Sequence, residues 1–137
     1  MKNASEEAGR WLRQAEYDRA QAERTLQVGA YSYAAYFAEQ TSQKALKAFL
    51  LSRGRRFVPS HSVGELAKEA SRLDARLAPL AGRGKKLDRL YLASRYPDAL
   101  PAPAIPAESY TCDDAEEAVG IARATFTAAG GAIEPPP

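Results

Sequence analysis

Two stretches near the start of this chain, residues 5–28 and Ser32 to Ser52 or Arg53, carry their apolar residues mostly three and four positions apart, a period that argues for helices. In the first, Trp11, Ala15, Ala22 and Leu26 share one stripe, with Arg, Glu and Gln on the remaining faces. In the second, the corresponding residues are Tyr33, Ala34, Phe37, Ala45, Ala48 and Phe49. Gly29 and Gly54 follow the two stretches, at the place where a helix commonly ends on a left-handed residue.

The rest of the chain is punctuated in the same way. Pro59 favours extended backbone just before it. Ser62 and Glu65 make an S-x-x-E capping box, which starts a third helix and leaves His61 just ahead of its N-cap. That helix is expected to be short and to break near Pro79 or Gly82–Gly84. A fourth, from Lys85 to about Arg95, carries Leu87, Leu90, Tyr91 and Ser94 and is closed by Pro97. Four prolines between Pro97 and Pro106 exclude a helix interior and predict a surface loop. Asp113 with Glu116 predicts a last helix running to about Ala129 and stopped by Gly130–Gly131. No strand-like alternation, internal repeat or glycine-rich phosphate loop interrupts the pattern. The expectation is an all-α, up-and-down antiparallel bundle of four to five helices, forming a single domain over residues 1–137 with a loose Pro-rich tail at 131–137.

Composition narrows the chemistry. At 137 residues the chain buries a core without disulfides, and its single cysteine, Cys112, excludes an internal one together with any cysteine-based zinc site. A lone histidine excludes a histidine-rich metal site, so neither metal nor cofactor is expected. No apolar run approaches the roughly 18 residues of a membrane span, and the first ten residues lack a signal-peptide core, so the reading is cytoplasmic with no membrane partner. The net charge of +2 is too small for a nucleic-acid coat. The basic residues nonetheless cluster: Lys44, Lys47, Arg53, Arg55 and Arg56 lead towards His61, and Arg83, Lys85, Lys86, Arg89 and Arg95 form a second group. A solvated, solubilising surface accounts for such clusters as readily as a binding site does.

Four residue groups could carry chemistry. His61 is the one side chain that titrates near neutrality unperturbed, and Arg56 stands five residues before it. With the free N–H groups of the third helix, the two could converge on one anion. Asp18 falls on the stripe of Trp11, Ala15 and Ala22, where a carboxylate needs a partner such as Lys44 or a tyrosine. Lys44 lies on the core-facing line Phe37, Thr41, Lys44, Ala48, where it either pairs with Asp18 or meets a ligand phosphate. Tyr91, Arg95, Tyr96, Pro97 and Asp98 form an aromatic and basic set. Arg95 there either complements the helix dipole or, with the tyrosines, stacks a base and holds its phosphate.

Taken together, Trp11-x3-Ala15-x2-Asp18-x3-Ala22, then Gly29-Ala30-Tyr31 with Ala34, Ala35, Phe37 and Gln40, then Gln43 to Ala48, resemble the HEPN domain. His61 with Leu66 and the later Tyr91-x3-Arg95-Tyr96-Pro97-Asp98 are similar to the same pattern, which spans about Glu6 to Ala129. The resemblance implies a small helical bundle that self-associates as a dimer or higher oligomer. It also implies a minimal nucleotidyltransferase as a partner and, in other relatives, nucleotide binding. A toxin-like ribonuclease subset carries an R-x4–6-H motif across its dimer interface. Arg56 to His61 fits that string by count, although those members carry it on a later helix, where this chain has Arg95-Tyr96-Pro97-Asp98. The leading expectation is therefore a nucleotide or RNA phosphate bound by Arg95, Tyr96, Asp98, Tyr91 and Lys44, with Arg56 and His61 at the mouth. The alternatives are a metal-independent ribonuclease using His61 and Arg56, and a non-catalytic partner of a nucleotidyltransferase.

Overall fold

The computed structural model describes residues 3–55 and 58–133. Its helices are α1 (Ala4–Gln27), α2 (Tyr31–Ser52), α3 (Val63–Leu73), α4 (Leu80–Tyr91), the single turn α5 (Pro106–Ser109) and α6 (Cys112–Gly131). No strand occurs among the described residues, and the all-helical architecture expected from the periodicity is the one observed.

Each terminus of the first hairpin follows from its residues. The Asn3 side chain accepts from the backbone N–H of Ser5 at 2.8 Å and caps α1. Gly29 has φ +79°, and the bonds Gly29 N to Leu26 O and Ala30 N to Thr25 O close a Schellman motif. Gly54, at φ +90°, repeats it through Leu51 O and Leu50 O at the end of α2. The short turn makes α1 and α2 antiparallel neighbours. α2 is the central helix, packed on α1, α6, α3 and α4. Its small residues Ala34, Ala35, Ala38, Ala45 and Ala48 allow close approach, while Leu46, Phe49 and Leu50 fill the space beside Leu66, Leu77 and Leu87.

The second half departs from expectation at three boundaries. α4 starts at Leu80 rather than Lys85, and Gly82 and Gly84 lie inside it instead of breaking a helix. A Cβ on Gly84 would stand 2.8 Å from Gly64 N and 2.9 Å from Val63 C, so the two helix backbones cross in direct contact there. α4 also ends at Tyr91, leaving Arg95 in the turn beyond it. Finally, α6 is opened by Thr111 and Asp114, whose reciprocal bonds form the capping box, and not by Asp113 and Glu116. The proline-rich segment is the expected connection, holding only a 3₁₀ turn at Pro97–Ala99 and the four residues of α5. Of the proposed tail, Gly131 closes α6, and residues 134–137 lie outside the described residues. No described helix is long and apolar enough to cross a membrane.

Candidate functional site

The end of α4 is pinned by side chains from elsewhere. Tyr110 donates its hydroxyl to the Leu90 carbonyl, and Ser94, itself buried, donates to the Tyr91 carbonyl at 2.7 Å. With the last carbonyls satisfied, the chain turns and folds Arg95 back over its own helix. The exposed guanidinium lies 4.7 Å from the Tyr36 ring centre, 5.1 Å from Tyr96 and 5.7 Å from Tyr91, and one nitrogen donates to the Tyr91 hydroxyl at 3.1 Å. Tyr36 and Tyr91 themselves stack at 6.1 Å. All three rings are within cation–π reach, so they hold the fork in place while its remaining N–H groups stay open to solvent. Arg95 forms no ion pair among the described residues. Tyr96 is 59% exposed, and Asp98 is exposed in the next turn.

Tyr36 is also one end of a polar seam that the sequence reading did not assemble. Along α2, Tyr36, Glu39 and Gln43 recur at helical spacing and share a face. Gln43 donates its amide to Glu39 Oε1 at 2.8 Å, which turns its own carbonyl oxygen to His61 Nδ1 at 3.4 Å. Glu39 is fully buried, and its Oε2 has no hydrogen-bond partner among the described residues. Burial, and then the neighbouring Asp88 carboxylate, push its pKa up to about 8, only partly offset by the Gln43 amide. Glu39 therefore holds a proton at neutral pH.

Asp88 corrects one expectation directly. Its carboxylate accepts from Val63 N at 2.8 Å, Gly64 N at 3.0 Å and Ser62 Oγ at 2.7 Å. The first turn of α3 is thus already filled by a negative side chain from α4, and its N–H groups are not free to gather an anion with His61. His61 itself is exposed beside Gln43. Arg56 lies outside the described residues, so the Arg56–His61 pair is described at one end only.

Lys44 turns to the other side of α2. Its ammonium reaches Asp18 Oδ2 at 2.6 Å, and Gln14 donates to Asp18 Oδ1 at 3.1 Å. Asp18, 7% exposed, thus has the partner its place on a burying stripe demanded. The structure joins Arg95, Tyr96 and Tyr91 in one cluster and leaves Lys44 apart from it, against α1. Of the residues missed, Glu39 and Gln43 carried a signal, being polar residues four apart on a burying helix; Asp88 carried none. No group of three or more His, Cys, Asp or Glu side chains that could hold a metal ion occurs among the described residues.

Comparison with known proteins identifies the family of the bundle. The family model described as HEPN domain matches residues 8–131. The crystal structure of TT1696 from Thermus thermophilus is similar at 32% identity and a TM-score of 0.77, covering 91% of this chain and 97% of that one. The crystal structure of ST0689, an archaeal HEPN homologue, is similar at 30% identity and a TM-score of 0.75, covering 98% and 100%. No curated protein matches at a significant level. A family match over most of the residues and a bundle shared with an archaeal homologue at this identity establish that the chain belongs to the HEPN domain family.

Proposed function

We propose that this chain binds the phosphate of a nucleotide or RNA at the Arg95 cluster and self-associates. The observation that carries the reading is an exposed guanidinium held over three tyrosine rings, with no carboxylate among the described residues to neutralise it. A surface arginine with no role gains little from such packing, whereas a fixed planar fork suits a phosphate and Tyr96 offers a face to a base. Self-association rests on the family resemblance and on the exposed apolar side chains Leu92, Tyr33 and Tyr96. Titration with ATP, GTP and a short RNA near physiological salt tests the binding. Arg95→Ala is expected to weaken it by about ten-fold or more and Tyr96→Ala by a smaller factor. Absence of binding to all three, or full affinity in Arg95→Ala, would overturn the reading.

A ribonuclease reading has one observation in its favour. Gln43, which positions His61, lies two turns from Tyr36 on the same face of α2, about 10 Å along the axis, so His61 and Arg95 flank one side of the bundle. It requires RNA cleavage that His61→Ala abolishes with the fold intact.

A further inference from the structure

Tyr36, Gln40 and Lys44 recur every four residues along α2, and all three are partly exposed. Each step of such a row turns about 40° around the helix, so the row winds from one flank of α2 to the other. At its start Tyr36 lies under the Arg95 guanidinium, on the α4 side. At its end Lys44 meets Asp18 of α1. Between them the Gln40 side chain makes no hydrogen bond among the described residues. Eight residues of helix separate the two ends by about 12 Å along the axis.

The far end of the row opens into a groove of about 610 Å³, which Lys44 lines together with Trp11, Gln14, Arg13, Arg10 and Glu7. Trp11 is partly exposed there, and its ring is steadied by the Lys47 ammonium, 5.6 Å from its centre. Arg10 is paired with Glu7 at 2.9 Å. Arg13 is exposed and has no carboxylate partner among the described residues. This end therefore repeats the composition of the other, an unpaired guanidinium in company with an aromatic ring. The lining holds three cations and one carboxylate, a balance that suits a polyanion.

A mononucleotide seated on Arg95 is too short to use both ends. A stacked single strand advances about 3.4 Å per nucleotide, so about 12 Å corresponds to three or four nucleotides. We propose that the Arg95 cluster is one end of a track for single-stranded RNA, which continues over Gln40 and Lys44 to Trp11 and Arg13. The inference rests on the phosphate-binding reading above and names its ligand: a strand of about four nucleotides, with a base against the indole at the far end. Gln40 supplies an amide for the sugar or base edges midway, and the rings at the two ends supply stacking that tolerates any sequence.

Trp11 is the only tryptophan of the chain, so its emission reports the far end alone. Binding of AMP and of 5′-phosphorylated oligoadenylates of two, four and six nucleotides to the full-length protein tests the track. Affinity is expected to rise about ten-fold or more from AMP to the tetranucleotide and then to level off. The tetranucleotide should change Trp11 emission saturably, and AMP should not. Arg13→Ala and Gln40→Ala, both at solvent-accessible positions, should each weaken the tetranucleotide by about three-fold and leave AMP unchanged. Arg95→Ala should weaken every member of the series. Equal affinities across the series, a tetranucleotide that leaves Trp11 emission unaltered, or a length gain that survives in both Arg13→Ala and Gln40→Ala would overturn the track. Length-independent binding that Arg95→Ala removes defeats the track and leaves the Arg95 reading standing, whereas absence of binding throughout the series defeats both.

Discussion

Glu39 is the residue at which burial and charge conflict most sharply. It is fully buried on α2, facing Asp88 from α4, Gln43 on its own helix and, through Gln43, His61 from the loop before α3. Its native pKa of about 8 stands above the ordinary value of 4.5. The folded protein therefore keeps a proton that the unfolded chain loses. The contribution is fully present below pH 4.5 and is lost progressively as pH rises towards and through about 8. Glu39→Gln replaces the acid by a neutral group of the same shape, which still accepts from Gln43. It is expected to flatten the pH dependence of stability across that window and to stabilise the protein at pH 7 by on the order of 2 kcal/mol. Thermal melts of both proteins from pH 5 to 9 check this. A variant that melts lower than the parent at pH 8, or keeps its slope, would show that the carboxyl is ionised in the fold.

At the scale of elements, the α3–α4 pair rests on two glycines and one aspartate. Gly64 and Gly84 let the backbones touch, and only at that separation does Asp88, one turn further along α4, reach the first N–H groups of α3. Gly84→Ala gains helix propensity, but its new methyl meets backbone atoms at 2.8 and 2.9 Å that cannot give way without moving a helix. A net loss of about 2 kcal/mol is expected. Gly82→Ala, in the same helix with nothing within 4 Å, is expected to raise stability by about 0.5 kcal/mol. Urea midpoints of the two variants test the pair, and equal shifts would remove the crossing from the account. The same residues show where sequence reading works and where it stops. Gly29 and Gly54 were legible as stops because the left-handed turn after a helix is a local demand. Gly84 read as a breaker because its reason is a second helix. Asp18 was legible from its own stripe, whereas Asp88 caps residues some 25 positions away and leaves no local mark. Arg95 was legible as part of an aromatic and basic set, but its fold-back onto Tyr36 of α2 depends on α4 ending at Tyr91.

For the molecule as a whole, charge balance decides how the proposed binding of RNA would depend on salt. Lys and Arg number 19 against 17 Asp and Glu, and many of them neutralise one another: Arg55 with Glu69, Lys86 with Glu117, Arg123 with Glu23, and Arg53 and Arg76 with Asp74. A cation already paired displaces few counter-ions when a phosphate arrives. Affinity for RNA should then come from a small number of fixed contacts and from stacking, with Arg95 the principal charged one. Each phosphate contact to a single strand contributes a slope of about −0.7 to the dependence of log affinity on log salt. For a short single-stranded RNA the whole protein is expected to show a slope between about −1 and −2, and Arg95→Ala to lower it by about one such contact. A slope of about −4 or steeper would mean that the dispersed basic clusters carry the binding as a general electrostatic surface. Unchanged slope in Arg95→Ala would be equally damaging, since it would place the phosphate elsewhere even if the affinity fell. The salt series therefore separates a local site, built where α4 ends against α2, from a property of the surface charge.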